Sequence, residues 1–132
     1  SCGLSEGALS LTTVLMGFAP GGDNLPREAQ NCLNFFVEEW AEFEPEGPSA
    51  LHVAGHTDGR TPGEGAPALG ERRAVAVRDF LLSSLDVFGI TAPVEVRFVN
   101  YGDSRPFTRS RTPRGNDLNR RVSIEVIRLA PR

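Results

Sequence analysis

Two charged residues, Asp58 and Arg73, are spaced so that both could contact one ligand. Asp58 follows an apolar run at residues 50–55 that is typical of a β-strand, and Arg73 falls in the first turns of a predicted helix. In a strand–helix unit, the carboxyl end of the strand and the amino end of the next helix meet at one edge of the sheet. An acid and a guanidinium there suit a zwitterion, because the acid takes an ammonium and the arginine takes a carboxylate. The spacing fits equally well a simple ion pair between Asp58 and Arg73.

Patterns for catalysis or metal binding are missing. His52 and His56 lie in a segment that reads as strand running into loop, where four residues span about 13 Å, too far for one metal ion. We therefore predict a structural or hydrogen-bonding role for each histidine. The chain has no GxSxG motif, and a GxxxxGK phosphate loop would need a lysine that it lacks. Cys32 lies on the apolar side of an acidic helix, a poor setting for a thiolate nucleophile. The sequence predicts a protein that is not an enzyme and uses no metal or cofactor.

Charge is divided unevenly along the chain. Residues 1–50 carry one arginine and eight acidic residues, whereas residues 51–132 carry thirteen arginines and nine acidic residues, for a net charge of −3. A pI near 5.4 argues against general affinity for nucleic acid. The basic half could still hold an anionic ligand locally.

The pattern of apolar residues predicts one domain with six elements. Strands are expected at residues 12–18, 50–55, 94–101 and 121–129, and helices at about 26–43 and 67–85. This β-α-β-α-β-β order predicts a two-layer α/β (α+β) sandwich, with a mixed four-stranded sheet and both helices on one face. Arg72, Arg73 and Arg78 are expected on or near the polar side of the second helix. The expected core consists of Leu33, Phe36, Val37, Trp40, Val53, Val77, Leu81, Phe98, Val122, Ile124 and Val126.

Four separated motifs resemble, in the right order, the OmpA-like C-terminal domain family. They are GHTD at 55–58, LGERRA at 69–74, GDSRP at 102–106 and NRRVSIEV at 119–126. The family includes Pal lipoproteins, OmpA-type porin tails and MotB-type stator proteins. The resemblance covers about residues 12–128 and leaves 1–11 as an N-terminal segment of the single domain 1–132. It implies non-covalent binding of the diaminopimelate-containing peptide stem of peptidoglycan.

The resemblance also implies a place in the cell. We expect a periplasmic, outer-membrane-associated module of a diderm bacterium that tethers an envelope protein to the wall, with other envelope proteins as partners. No apolar run approaches the roughly 20 residues that a bilayer-spanning helix needs, so any leader or membrane anchor is expected outside these 132 residues.

The resemblance assigns four ligand-binding residues. The family's acid falls on Asp58 and its helix arginine on Arg73, while Thr57 matches the residue before the acid. Arg120 matches the first arginine of the NRRV motif, which lies near the ligand in family members. Pairing with a nearby carboxylate is the alternative role for Arg120.

The chain departs from the family pattern at three places. Ala66 stands where members carry Asn, Asn116 stands where they carry Arg, and residues 19–23 replace an Asp- or Asn-rich turn. The changes at Ala66 and Asn116 support an alternative function, a structural or protein-interaction module with weakened peptidoglycan binding.

The envelope location implied by the resemblance is oxidising, which favours a disulfide between Cys2 and Cys32. That bridge would tie the N-terminal segment to the first helix. Two alternatives stay open: Cys32 fits the apolar stripe as a buried thiol, and Cys2 could carry a lipid.

Overall fold

A computed structural model describes residues 4–6, 10–19, 21–43, 49–58, 68–90, 94–104, 112, 115 and 119–128. Two of its helices, α1 and α2, cover one face of a sheet. Their bounds are Arg27–Phe43 and Leu69–Val87. The strands are β1 Ser5–Glu6, β2 Ser10–Leu15, β3 Ser49–His56, β4 Val94–Gly102 and β5 Val122–Arg128.

The sheet is mixed, and its strand order is β1-β2-β5-β3-β4. β3 and β4 are parallel and joined through α2, whereas β5 lies antiparallel between β2 and β3. The predicted two-layer architecture, its four strands and both helices are confirmed. The structure adds β1, a two-residue strand that pairs with β2 at the sheet edge.

The first predicted strand ends earlier than expected. The sequence predicted 12–18, but β2 ends at Leu15, which lies opposite Val122, the first residue of β5. No partner residues of β5 remain beyond that point. Gly17 then turns the chain with a φ of +89°, a conformation that glycine adopts readily. The next residue, Phe18, is completely buried and belongs to the core.

The core lies between the helices and the sheet. Ten of the eleven predicted core residues are buried: Leu33, Phe36, Val37, Trp40, Val53, Val77, Leu81, Val122, Ile124 and Val126. Phe98 is the exception, with 39% of its surface exposed. Among the described residues β4 is an edge strand that pairs with β3 alone, and the guanidinium of Arg78 lies 5.1 Å from the centroid of the Phe98 ring.

Candidate functional site

The chain places Asp58 two residues beyond β3. Asp58 is 4% exposed and the preceding Thr57 is 7% exposed, so both residues are buried at the carboxyl end of the strand. Nη1 of Arg120 donates a hydrogen bond of 2.6 Å to Oδ2 of Asp58. Because the Arg120 side chain is only 8% exposed, this ion pair is shielded from water and from salt.

Two glycines let α2 approach β3 at this edge. A methyl group at Gly55 would overlap the main-chain carbonyl of Gly70, in the first turn of α2. Such backbone contact between a strand and a helix is open only to glycine. It brings Arg73, in the next turn, close enough for its Nη1 to donate to the carbonyl oxygen of His56 at 3.2 Å. Asp58 and Arg73 therefore lie at the same edge of the sheet.

Arg73 is fully buried and is held by main-chain carbonyls. Besides His56, it donates from Nε to the carbonyl of Gly22 at 2.8 Å and from Nη2 to the carbonyl of Ala19 at 3.0 Å. Its guanidinium carbon also lies 5.2 Å from the centroid of the Phe18 ring. Although predicted on the polar side of its helix, Arg73 is 0% exposed, because the segment after β2 packs over it.

Phe18 contacts both arginines of the site, Arg73 and Arg120. Its ring contacts Arg73, while its carbonyl oxygen accepts a 3.0 Å hydrogen bond from Nε of Arg120. Main-chain carbonyls are strong acceptors that must be satisfied when buried. The two guanidinium groups therefore hold Phe18, Ala19 and Gly22 against the carboxyl end of β3.

The structure thus brings together the four residues that the sequence predicted for the site. Sequence reasoning missed the carbonyls of Ala19 and Gly22, because a main-chain acceptor leaves no mark in residue type. It also missed the contact between Gly55 and Gly70. The glycines of GHTD and LGERRA are the signal that could have indicated it. Ala66 and Asn116, the predicted departures from the family pattern, lie outside the described residues.

The two histidines contact the sheet rather than each other. His56 is 3% exposed, and its Nε2 lies 3.0 Å from the hydroxyl oxygen of Ser123. Its ring stacks on that of Tyr101, with centroids 5.2 Å apart. Nδ1 of His52 lies 4.0 Å from a carboxylate oxygen of Glu125. Among the described residues there is no group of three or more His, Cys, Asp or Glu side chains that could hold a metal ion.

A groove lies between α2 and residues 23–25, which follow the carbonyl groups that bind Arg73. Its volume is about 510 Å³, and its walls include Asp23 and Leu25 on one side and Glu71 and Arg72 on the other. Arg72 and Asp23 lie 3.3 Å apart across it, both about half exposed. A second groove of about 430 Å³ lies on the sheet, and Arg121 is one of its lining residues. Burial lowers the pKa of the Arg121 guanidinium below its ordinary value.

Cys32 is disulfide-bonded and 7% exposed on α1. Cys2, its predicted partner, lies outside the described residues. The pairing of these two cysteines stays a prediction.

The fold and this sequence place the chain in a known family. The family model described as "OmpA family" matches residues 17–120, and the chain belongs to that family. Among curated relatives, outer membrane porin F of Pseudomonas aeruginosa is 40% identical over 91 residues. That match covers 68% of this chain and 25% of the porin, so the chain spans about a quarter of that relative. The peptidoglycan-associated lipoprotein of Pseudomonas putida is 31% identical over 121 residues, covering 92% of this chain and 68% of the lipoprotein.

Solved structures share the fold. The periplasmic domain of Helicobacter pylori MotB superposes with a TM-score of 0.72 at 19% identity, covering 98% of this chain and 83% of that one. The cell wall anchor of the type VI secretion system from Pseudomonas aeruginosa gives a TM-score of 0.68 at 22% identity, covering 97% and 88%. Across the described residues, neither helix has the length and apolar character needed to cross a membrane.

Proposed function

We propose that this chain is a peptidoglycan-binding module that tethers an envelope protein to the cell wall without a covalent bond. The observation that carries the proposal is the convergence of Asp58, Arg73 and Arg120 at the carboxyl end of β3. The names of relatives, a peptidoglycan-associated lipoprotein and a cell wall anchor, support the same class of ligand. The corresponding location is the periplasm, in association with the outer membrane, and the module acts by binding rather than by catalysis.

The ligand group that fits best is the zwitterionic end of a diaminopimelate side chain in the peptide stem. Asp58 would accept hydrogen bonds from the ammonium, and Arg73 would donate a fork of two hydrogen bonds to the carboxylate. Arg120 would fix the orientation of Asp58 through its 2.6 Å bond. Thr57, which is 7% exposed and precedes Asp58, would lie beside the bound group.

Ligand binding has to change the contacts of Arg73. Arg73 is fully buried, and its Nε and Nη2 donate to the carbonyls of Gly22 and Ala19, so a carboxylate that forks onto these two nitrogens would displace those acceptors. The segment over Arg73 must therefore move when the ligand enters. The same observation favours a second function, in which these contacts are permanent and the chain is a structural or protein-interaction module.

Co-sedimentation with insoluble peptidoglycan separates the two functions. Asp58→Asn removes the charge without changing shape, and Arg73→Lys keeps the charge but loses the fork. We expect each variant to lower the affinity by about 5- to 150-fold, the range for a charge-assisted hydrogen bond at a buried site. Arg78→Ala is the matched control, because Arg78 is on the same helix and hydrogen-bonds the neighbouring Asp79. Wild-type retention in both site variants, with unchanged circular dichroism, would refute this site, whereas a wild type that does not co-sediment with peptidoglycan would support the structural module instead.

The stem residue is tested with soluble peptides. We expect a stem tripeptide ending in diaminopimelate to displace the protein from the wall, whereas the same peptide ending in lysine should not, because lysine lacks the second carboxylate. Equal competition by the two peptides would rule out diaminopimelate recognition while leaving peptidoglycan binding in place.

A further inference from the structure

β4 is an edge strand with a long outer side. Its nine residues, Val94–Gly102, pair with β3, and no strand among the described residues pairs with its other side. The opposite edge of the sheet ends instead in β1, which has only two residues. The outward N–H and C=O groups of an edge strand are a template for another strand.

Apolar side chains are exposed around this edge. Phe98 and Val99 are 39% and 43% exposed, and as consecutive strand residues they point to opposite faces of the sheet. On α2, Leu82 is 38% exposed and lies one helical turn from Arg78, whose guanidinium covers the Phe98 ring. These side chains do not form one contiguous patch, so their exposure alone does not mark a contact site.

The charges on β4 are complementary to a second copy of the same strand. Glu95 and Arg97 share a face of β4 and lie 3.0 Å apart. Two antiparallel β4 strands can be related by a two-fold axis perpendicular to the sheet. The residue at that axis then lies directly opposite the same residue of the other copy. When that residue is Val96, Glu95 of each copy lies opposite Arg97 of the other, and Val94 lies opposite Phe98. Axes at Glu95 or Arg97 would instead place like charges opposite each other, which is destabilising.

We propose that two copies of this chain associate through antiparallel β4 strands, with Val94–Phe98 of each copy paired about a two-fold axis at Val96. The two five-stranded sheets then form one continuous sheet, with both helix layers on the same face. The inference does not depend on the ligand, because the paired residues Val94–Phe98 lie beside Ser49–Val53 of β3, before the end of β3 that leads to Asp58. A dimer with two wall-binding sites would also hold peptidoglycan more tightly than either site alone.

Charge reversal tests the proposal with the whole 132-residue chain. Sedimentation over a concentration series should show a monomer–dimer equilibrium in the wild type. Glu95→Arg and Arg97→Glu should each raise the dimer dissociation constant about tenfold, because each creates two like-charge pairs across the seam. The double variant should return it to within about threefold of the wild type, since the charges are exchanged but remain complementary. A monomeric wild type at all concentrations overturns the proposal, as does a double variant that is as weak as the single ones.

A cysteine pair tests the register. Val96→Cys should form a disulfide-linked dimer under mild oxidation, because the two copies of residue 96 face each other. Val99→Cys is the matched control, since in this register its two copies are about 20 Å apart. Both variants keep Cys2 and Cys32, so any cross-link through these appears equally in both. Cross-linking through residue 99 rather than 96, or through neither in a dimeric protein, would overturn the proposed seam.

Discussion

Arg120 and Asp58 are 62 residues apart in the chain, yet Nη1 of Arg120 lies 2.6 Å from Oδ2 of Asp58. The pair joins the end of β3 to the residues just before β5, at the point where Gly55 of β3 pairs with Val122 of β5. Both residues are buried, and Arg120 also donates to the carbonyl of Phe18. This single side chain therefore connects three segments that meet at the candidate site.

Arg120→Ala should destabilise the fold as well as the site. It leaves the Asp58 carboxylate, 4% exposed, without its 2.6 Å partner, and breaking a buried ion pair from one side costs about 3–5 kcal/mol. Urea denaturation measures the change in the free energy of unfolding. Arg72→Ala is the control, since its pair with Asp23 is about half exposed and should contribute less than about 1 kcal/mol. Equal losses in the two variants would contradict the structural role of Arg120.

Gly55→Ala should weaken the packing of α2 on β3. The added methyl group would overlap the Gly70 carbonyl, and overpacking of this kind costs about 1–3 kcal/mol. Since Arg73 follows Gly70 in the helix, we also expect weaker peptidoglycan retention. Gly22→Ala is the control, because a methyl group there would make only ordinary contacts with Ala19. Thermal unfolding of the two variants checks the difference, and an unchanged melting temperature for Gly55→Ala would show that the helix can move away without loss.

Trp40→Ala should be among the most damaging substitutions in α1. Trp40 is 1% exposed and packs edge-to-face against Phe36, with ring centroids 6.1 Å apart. Truncating a buried Trp costs about 3–5 kcal/mol. Phe35→Ala, which removes a 43% exposed ring from the same helix, should cost within about 1 kcal/mol. Unfolding in guanidinium chloride, followed by circular dichroism, gives the free energy of unfolding of both variants. A similar loss for Phe35→Ala would indicate that another surface covers the Phe35 ring.

The disulfide predicted between Cys2 and Cys32 can be tested by mass. Cys32 is disulfide-bonded, and the chain contains two cysteines. We expect unreduced monomer to weigh two hydrogens less than the reduced protein. In the chain-entropy model, closing a loop of about 30 residues stabilises the fold by about 3–4 kcal/mol, so a reducing agent should lower the free energy of unfolding by that order. Two free thiols per monomer would contradict the bridge.

Elements in which an apolar repeat continues over many residues were predicted with nearly correct bounds. The stripe through Leu33, Phe36 and Trp40 predicted a helix over 26–43, and α1 spans Arg27–Phe43. Strand ends were less predictable, because a strand ends where its partner does. β2 ends at Leu15, opposite the start of β5, although the apolar run continues to Phe18. β1 pairs over only two residues, too few to create a pattern in the sequence.

For the candidate site, too, some features could be predicted from the sequence and others could not. The order of the main elements, most of the core and the position of Asp58 and Arg73 at one edge of the sheet could be predicted, because these follow from local periodicity and from the geometry of a strand–helix unit. The partners of the charged groups became known from the three-dimensional fold. Asp58 pairs with Arg120 from the far end of the chain, and Arg73 donates to carbonyls of Ala19 and Gly22. Residue spacing carries no record of such contacts, since they depend on how distant segments pack and on main-chain groups that every residue possesses.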